Sequence, residues 1–202
     1  MDAKYVNSLY NIYNNICRYI ENIGSETVEH EVLNKSEFTK YVQFNPFVKI
    51  KTQNIQNPEE TIYIFLIIDN TLVTRTQSFI KLLNNVPGTR ENVTIISKDE
   101  LKKSILKSLI KYKKKDIKVK SLSYIYFKVD VRNHIMVPKH VLCSEVEKKN
   151  ILSEMLITSH NMLPKIKITD PQVVWLNAKI GDVILITRND ITGPVLYYRL
   201  VV

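Results

Sequence analysis

The stretch Thr61 to Ile68 reads TIYIFLII and shows no polar alternation. β-Branched and aromatic residues favour extended backbone, and a strand with no polar face must be covered on both sides. This run therefore predicts a sheet sandwiched between other layers, not an open sheet facing water. The chain's 45% hydrophobic content is enough to build those layers. Ile62 to Ile68 is also the longest apolar run. It is far shorter than the roughly 18 residues a membrane-crossing helix needs, so no membrane partner is expected.

The rest of the N-terminal half alternates helix and strand signals. Val6, Leu9, Tyr13, Ile16, Ile20 and Ile23 recur at three- and four-residue steps, predicting a helix over 4–23 with Gly24 at its end. Asn34 and Glu37 have capping-box spacing, and Asn45-Pro46 closes the helix they open. The segment 53–58 reads as a loop, Asp69-Asn70 as a turn, and 77–85 as a short helix before Pro87-Gly88. Val93 to Ile96 reads as a second buried strand. Ser97 and Glu100 predict a capped helix to about Lys113, and 119–129 a further strand. Strands alternating with helices predict an α/β N-terminal domain. After Asp130 the texture changes. Ser144 and Glu147 predict a helix to about Thr158. Val183 to Thr187 and Val195 to Val202 predict strands of a small antiparallel unit packed on it. The chain is α+β overall, with domains over 1–130 and 131–202.

Charge is concentrated. The 202 residues carry a formal net charge of +9, and residues 98–120 hold ten lysines against Asp99, Glu100 and Asp116, which is +7 of that total. On a helix, Lys103, Lys107 and Lys111 stack on one face and Leu101, Ile105, Leu109 and Tyr112 on another. The lysine face is either a solvated surface or a phosphate-contacting one. Lysine suits backbone contact without base readout, so any duplex DNA contact is expected to be non-specific.

Motifs for small-molecule chemistry are sparse. Four glycines occur, none in a GxxxxGK[ST] or GxGxxG pattern, so no nucleotide cofactor or small-molecule substrate is expected. His134, His140 and Cys143 lie close in sequence but lack a fourth ligand at a familiar spacing, so no metal is expected. Cys17 and Cys143 are too far apart for a CxxC pair. The acidic-x-lysine pattern of metal-dependent nucleases occurs at Asp2, Glu100, Asp116 and Glu147. Four hits in a lysine-rich chain carry little weight, and a capping role explains Glu100 better.

The final 69 residues carry an ordered set of short pieces. His134, Val137-Pro138 and His140-Val141 come first. Leu163-Pro164 with Ile166, then Asp170-Pro171, follow a helix. Lys179 to Gly181 leads into Asp182-Val183-Ile184, then Arg188, and the set ends Tyr198-Arg199-Leu200-Val201. In order and spacing these resemble the C-terminal domain of the fifth subunit of eukaryotic-type RNA polymerases, a module that stands alone as a small polymerase component in archaea. The segment after Arg188, Asn189 to Pro194, is one residue shorter than the family's usual Ser-x-Thr-Ala-Gly-like loop.

The resemblance implies a non-catalytic polymerase component with a two-domain layout. A C-terminal α+β assembly domain would anchor to the largest subunit and the polymerase core. An N-terminal α/β jaw with a mixed sheet would lie near downstream duplex DNA, with Lys98, Lys102, Lys103 and Lys107 as DNA-proximal residues. The implied assembly-domain residues are His134, Pro138, His140, Pro164, Asp170, Pro171, Gly181, Arg188, Tyr198 and Arg199. The jaw implies a eukaryotic or viral source. The Ile-, Asn- and Lys-rich composition suggests an A/T-rich genome, such as that of a large cytoplasmic DNA virus, placing the chain in host cytoplasm and virion, or in the nucleus if cellular. A free-standing DNA-binding or regulatory protein is the alternative, and a metal-dependent nuclease a third reading.

Overall fold

A computed structural model of the chain describes residues 2–27, 32–55, 61–75, 77–78, 80, 92–99, 101, 104–105, 107, 118–191 and 193–202. They fall into two compact units, Met1–Val129 and Asp130–Val202.

In the first unit, α1 (Ala3–Asn22) is capped by the Asp2 carboxylate, which accepts from the Lys4 N–H. Its buried stripe is Val6, Leu9, Ile12, Tyr13, Ile16, Tyr19 and Ile20, the 3.6-residue periodicity expected of an amphipathic helix. Gly24 follows at φ +68°, a left-handed conformation that costs glycine little. α2 (Lys35–Phe44) begins with the expected capping box, Asn34 to Glu37 in both directions, and buries Phe38 and Val42.

Five strands form one sheet in chain order: β1 (Ser25–Thr27), β2 (Phe47–Asn54), β3 (Thr61–Ile67), β4 (Asn92–Ser97) and β5 (Lys118–Ser123). The first three pair antiparallel, and β3–β4–β5 pair parallel, so the sheet is mixed. Parallel neighbours require crossovers, which explains why the chain spends some twenty residues or more between β3 and β4 and again between β4 and β5. Residues 63–67 are buried on both faces. Tyr63, Phe65 and Ile67 pack with Val73, Val93, Ile95 and Ile105 on one side. Ile64 and Leu66 point to the other and are fully buried. Each such side chain contributes about 1.5–3 kcal/mol by leaving water.

Several elements depart from the sequence reading. β2 was not expected. Its signal is a period of two, with Val48, Ile50 and Thr52 buried and Lys49, Lys51 and Gln53 half-buried. Lys49 lies 4.8 Å over the Tyr63 ring, so its stem covers apolar surface. A short helix, α3 (Thr71–Thr74), follows the Asp69-Asn70 turn. Ser97 does not cap a helix: it ends β4, and its hydroxyl donates to the Asp99 carbonyl. Helical backbone is present at Ser104, Ile105 and Lys107. β5 stops at Ser123, where a 3₁₀ turn, Tyr124–Phe127, replaces the expected strand. Apolar content misled there, because Tyr124 and Phe127 face the core from the turn and the Tyr124 hydroxyl donates to the Ile67 carbonyl. Glu100, Lys102, Lys103, Pro87-Gly88 and most of the helix expected over 77–85 lie outside the described residues.

The second unit has a four-stranded sheet in the order β6-β8-β9-β7. β8 (Val183–Asp190) and β9 (Gly193–Val201) form the central antiparallel hairpin; β6 (Lys139–Leu142) pairs with β8, and β7 (Lys165–Ile166) runs parallel to β9. Strand alternation splits the core. Ile184, Ile186 and Val201 pack with Ile166, Val173 and Ala178 beside α5 (Pro171–Trp175). Val183 and Leu200 pack with Cys143, Ile151 and Leu163 beside α4 (Glu145–Glu154). One helix therefore covers each face. Among the described residues no helix is long and apolar enough to cross a membrane.

The expected Ser144–Glu147 capping box is present. The Ser144 N–H and hydroxyl donate to Glu147 Oε2 at 2.6 and 2.8 Å, and the Glu147 N–H donates back to Ser144 Oγ. The backbone bond, then the side-chain bond, holds the exposed Glu147 carboxyl below its usual range. A lowered carboxylate pKa stabilises above the ordinary value, and that contribution disappears as pH falls through the folded one. Ser144→Ala is expected to cost about 1 kcal/mol at neutral pH. The acid limb of a pH-dependent urea titration should become shallower; an unchanged limb would mean the box is not formed in solution.

Candidate assembly and nucleic-acid interfaces

Local contacts fix the backbone at several of the motif positions of the second unit. Asp170 caps α5 by accepting from the Gln172 N–H at 2.9 Å, and Pro171 occupies the first helical position, where its missing N–H costs nothing. This presents Trp175, which is fully buried. The Arg132 guanidinium lies 4.3 Å over its ring and is itself forked onto the Asp130 carboxylate at 2.9 and 2.8 Å. The turn into β8 needs Gly181 at φ +93°, and Asp182 accepts from the Lys179 N–H at 2.7 Å. The other Asp182 oxygen accepts from Lys148 Nζ at 3.0 Å, and Glu145 accepts from the same ammonium at 2.7 Å.

The remaining expected residues serve edges and turns. Pro138 leads into β6, and its carbonyl lies 2.7 Å from His140 Nδ1. His134 is exposed, with Nδ1 accepting from the Met136 N–H. The Pro164 carbonyl accepts from the Leu200 N–H at 2.8 Å, beside the parallel β7–β9 pair. Arg199 donates to the Lys165 carbonyl. Arg188 lies 5.1 Å over the Tyr197 ring near the hairpin end. Tyr198 packs on the opposite face against the core beside α4, where burial, then nearby carboxylates, raises its hydroxyl pKa.

These contacts link the chain to itself and assemble no reactive constellation. His140 and Cys143 lie on opposite faces of the small sheet: His140 pairs with Ile186, whereas Cys143 is buried with Leu163, Val183 and Leu200. No group of three or more metal-ligating side chains gathers among the described residues. Burial pushes the Cys17 thiol up to about 11, so it is protonated and a poor nucleophile at neutral pH. The acidic-x-lysine pairs have other tasks where they are described. Asp2 caps α1, and Glu147 closes the Ser144 capping box of α4.

What the second unit does present is apolar surface. Ile135 and Met136 are 96% and 80% exposed on the segment before β6. Val146, Ile180, Leu196 and Tyr197 are also exposed. In the first unit, Lys98 and Lys107 are exposed, while Ile105, between them in sequence, is fully buried against Tyr63, Phe65 and Ile95. Lys98 lies in the bend after β4 and Lys107 at a helical position, so these two lysines do not share one helix face, and the other lysines expected on that face lie outside the described residues.

Residues 129–201 match the family described as RNA polymerase Rpb5, C-terminal domain. Relatives called DNA-directed RNA polymerase subunit Rpo5 align with the same part of the chain. That of Methanosarcina acetivorans is 46% identical over 76 residues, covering 37% of this chain and 96% of the relative. That of Thermococcus kodakarensis is 47% identical over 74 residues, covering 36% and 89%. That of Archaeoglobus fulgidus is 41% identical over 76 residues, covering 37% and 99%. The chain belongs to the Rpb5/Rpo5 family. All ten expected assembly-domain residues lie inside the Rpb5-matched range, and the four lysines lie outside it. Sequence reasoning missed Arg132, Trp175 and Lys148 as the residues that organise this unit. The chain's sole tryptophan was a usable signal. Lys148 had none, because Glu145-x-x-Lys148 reads as an ordinary exposed i,i+3 pair.

Proposed function

We propose that this chain is a non-catalytic subunit of a multisubunit DNA-directed RNA polymerase. Its second unit anchors it to the largest subunit, and its first unit forms part of the lower jaw beside downstream DNA. The observation that carries this reading is a coincidence of boundaries. The Rpb5-matched residues, 129–201, are nearly the compact unit Asp130–Val202, so the similarity covers a whole structural module. Its exposed Ile135, Met136, Leu196 and Tyr197 supply apolar area for docking on a large partner. The isoleucine-, asparagine- and lysine-rich composition supports a source with an A/T-rich genome, such as a large cytoplasmic DNA virus. Host cytoplasm and virion are then the sites of action, or the nucleus for a cellular source.

The deciding experiment is affinity purification of the tagged chain from its native or infected cell, read by mass spectrometry. Stoichiometric recovery of the two large polymerase subunits is expected. A chain recovered alone or only with DNA would replace this reading with that of a free-standing DNA-binding or regulatory protein.

Lys98, Lys102, Lys103 and Lys107 are proposed to lie against the phosphate backbone of the duplex. Each phosphate neutralised adds about −0.9 to the slope of log affinity against log salt. Replacing all four with glutamate is expected to weaken DNA retention by the assembled polymerase and flatten its salt dependence by up to about 3–4 in slope. Subunit composition should stay intact. Retention unchanged across a salt series would remove these lysines from the interface.

A further inference from the structure

We propose that the outer edge of β9 receives an extended segment of the largest polymerase subunit as a further strand, with acidic side chains at alternate positions. This deepens the anchoring proposed above and rests on it. β9 pairs with β8 from Gly193 to Leu200, but on its other side β7 covers only Leu200 and Val201. The bonds at the covered end fix the direction of every backbone group. The Val201 N–H donates to the carbonyl of Asp182, the residue before β8, and the Leu200 N–H donates to the Pro164 carbonyl on the β7 side. Alternation along the strand then turns the N–H and C=O groups of Leu196 and Tyr198 away from β8. β7 stops short of them, and among the described residues these outward groups have no partner.

Such an edge selects a strand, since only extended backbone presents donors and acceptors at the matching repeat. The open stretch has two stops. Pro194, the next outward-facing position beyond Leu196, has no N–H to offer. At the other end the Leu200 N–H is already taken by Pro164. At 3.3 Å per residue, about four to five residues of a partner fit between them.

Side-chain alternation and charge define that partner. Val195, Tyr197 and Arg199 share the α5 face of the sheet with Arg188, whose guanidinium lies 5.1 Å over the Tyr197 ring. Among the described residues neither arginine has an ion-pair partner. On the α4 face Leu196 is 53% exposed, and Glu154 and Glu147 act on Tyr198. Acidic side chains of the incoming strand therefore belong on the α5 face against the two arginines, and apolar ones on the α4 face beside Leu196. A second copy of this chain fits less well, because two β9 edges paired antiparallel would set arginines against arginines. The other outer strand, β6, also has an open side, but only four residues hold it to the sheet, against eight for β9.

The test compares the free chain with the chain in polymerase recovered through its tag, by amide hydrogen exchange resolved at single residues. In the free chain the Val195, Tyr197 and Arg199 amides, which point to β8, should exchange slowly and those of Leu196 and Tyr198 fast. In the assembled polymerase the latter two are expected to slow by at least about tenfold. Leu196→Pro removes only an outward N–H from the backbone and should keep the β8–β9 ladder. Competing with untagged parent for incorporation, it is expected to do about tenfold worse than Leu196→Ala, which retains that N–H. Arg188→Glu should also lower incorporation about tenfold. Fast Leu196 and Tyr198 amides in the assembled polymerase, protection already present in a dimer of the free chain, or equal incorporation of the two Leu196 variants would each overturn the proposal, and unchanged incorporation of Arg188→Glu would overturn the acidic chemistry of the strand. Fast amides in a chain that still recovers the large subunits would leave the anchoring itself standing, whereas failure to recover those subunits would remove both.

Discussion

Replacing Trp175 with alanine is expected to unfold the segment from Asp130 to Val202. Trp175 is fully buried and heads the chain's largest fully buried side chains, and α5, which carries it, is five residues long. A helix that short has no stability of its own and is held by what it packs against. Truncating a buried tryptophan costs about 3–5 kcal/mol. A single small domain commonly has only about 5–15 kcal/mol in total, and small ones sit at the low end. The loss also strips Arg132 of the ring beneath it while Asp130 still holds its fork. In the amide spectrum of the full chain, the dispersed resonances of 130–202 should collapse while those of the first unit persist. A folded second unit in Trp175→Ala would show that the two sheet-face clusters hold it without the Trp175 ring.

The second large effect concerns the buried ammonium of Lys148. Only 9% of its side chain is exposed, against 23% for Asp182 and 82% for Glu145. Burial alone would lower the Lys148 pKa. Hydrogen bonds and charge attraction from Glu145 and Asp182 outweigh it, and the net shift is upward. Asp182 is the partner that matters most, because Glu145 is nearly fully solvated. Asp182→Asn keeps an oxygen for the Lys179 N–H but removes the charge. It is expected to cost about 2–3 kcal/mol, since the remaining ammonium is left with one exposed partner. Adding Lys148→Met should return stability to within about 1 kcal/mol of the parent, because a buried pair replaced whole is often near neutral.

Trp175 fluorescence during urea unfolding measures both variants and, as the chain's sole tryptophan, reports on the second unit. A raised lysine pKa stabilises fully below the ordinary value of 10.5, and the contribution vanishes as pH climbs through the folded value. The alkaline limb of stability should therefore be shallower in Asp182→Asn. Additive losses in the double variant would show that the pair is not coupled.

How legible these features were in the sequence depended on range. Most signals that act within one turn were read correctly: the capping boxes at Asn34 and Ser144, the apolar stripe of α1, and the Gly24 stop. Spacing alone was not sufficient: Ser97 and Glu100 have the same spacing, yet Ser97 ends β4 and caps no helix. The two-sided burial of 63–67 was legible because alternation was missing there. β2 was harder. Its outward positions are lysines and a glutamine, so its polarity resembled a loop, and only pairing with β3 over seven registered residues makes it a strand. β6 and β7, four and two residues long, are defined almost wholly by the hairpin they join. In the candidate interfaces, the ordered motif pieces were visible as letters. Their tasks were not, because the Arg132–Trp175 stack and the Lys148–Asp182 bridge join residues more than thirty positions apart.

The strand order β6-β8-β9-β7 has a consequence for how the chain is made. The two outer strands emerge from the ribosome first, yet each pairs only with a central strand synthesised later: Lys139 opposes Thr187, and Lys165 opposes Leu200. At about 5–20 residues per second, the β6 segment waits several seconds for its neighbour. Throughout that interval the apolar residues of α4, β6 and β7 have no sheet to cover. β6 needs only β8 to dock, whereas β7 waits for β9, so a ribosome stalled before Gly193 carries a nascent chain whose first unit can be complete while its second still lacks one of its two central strands.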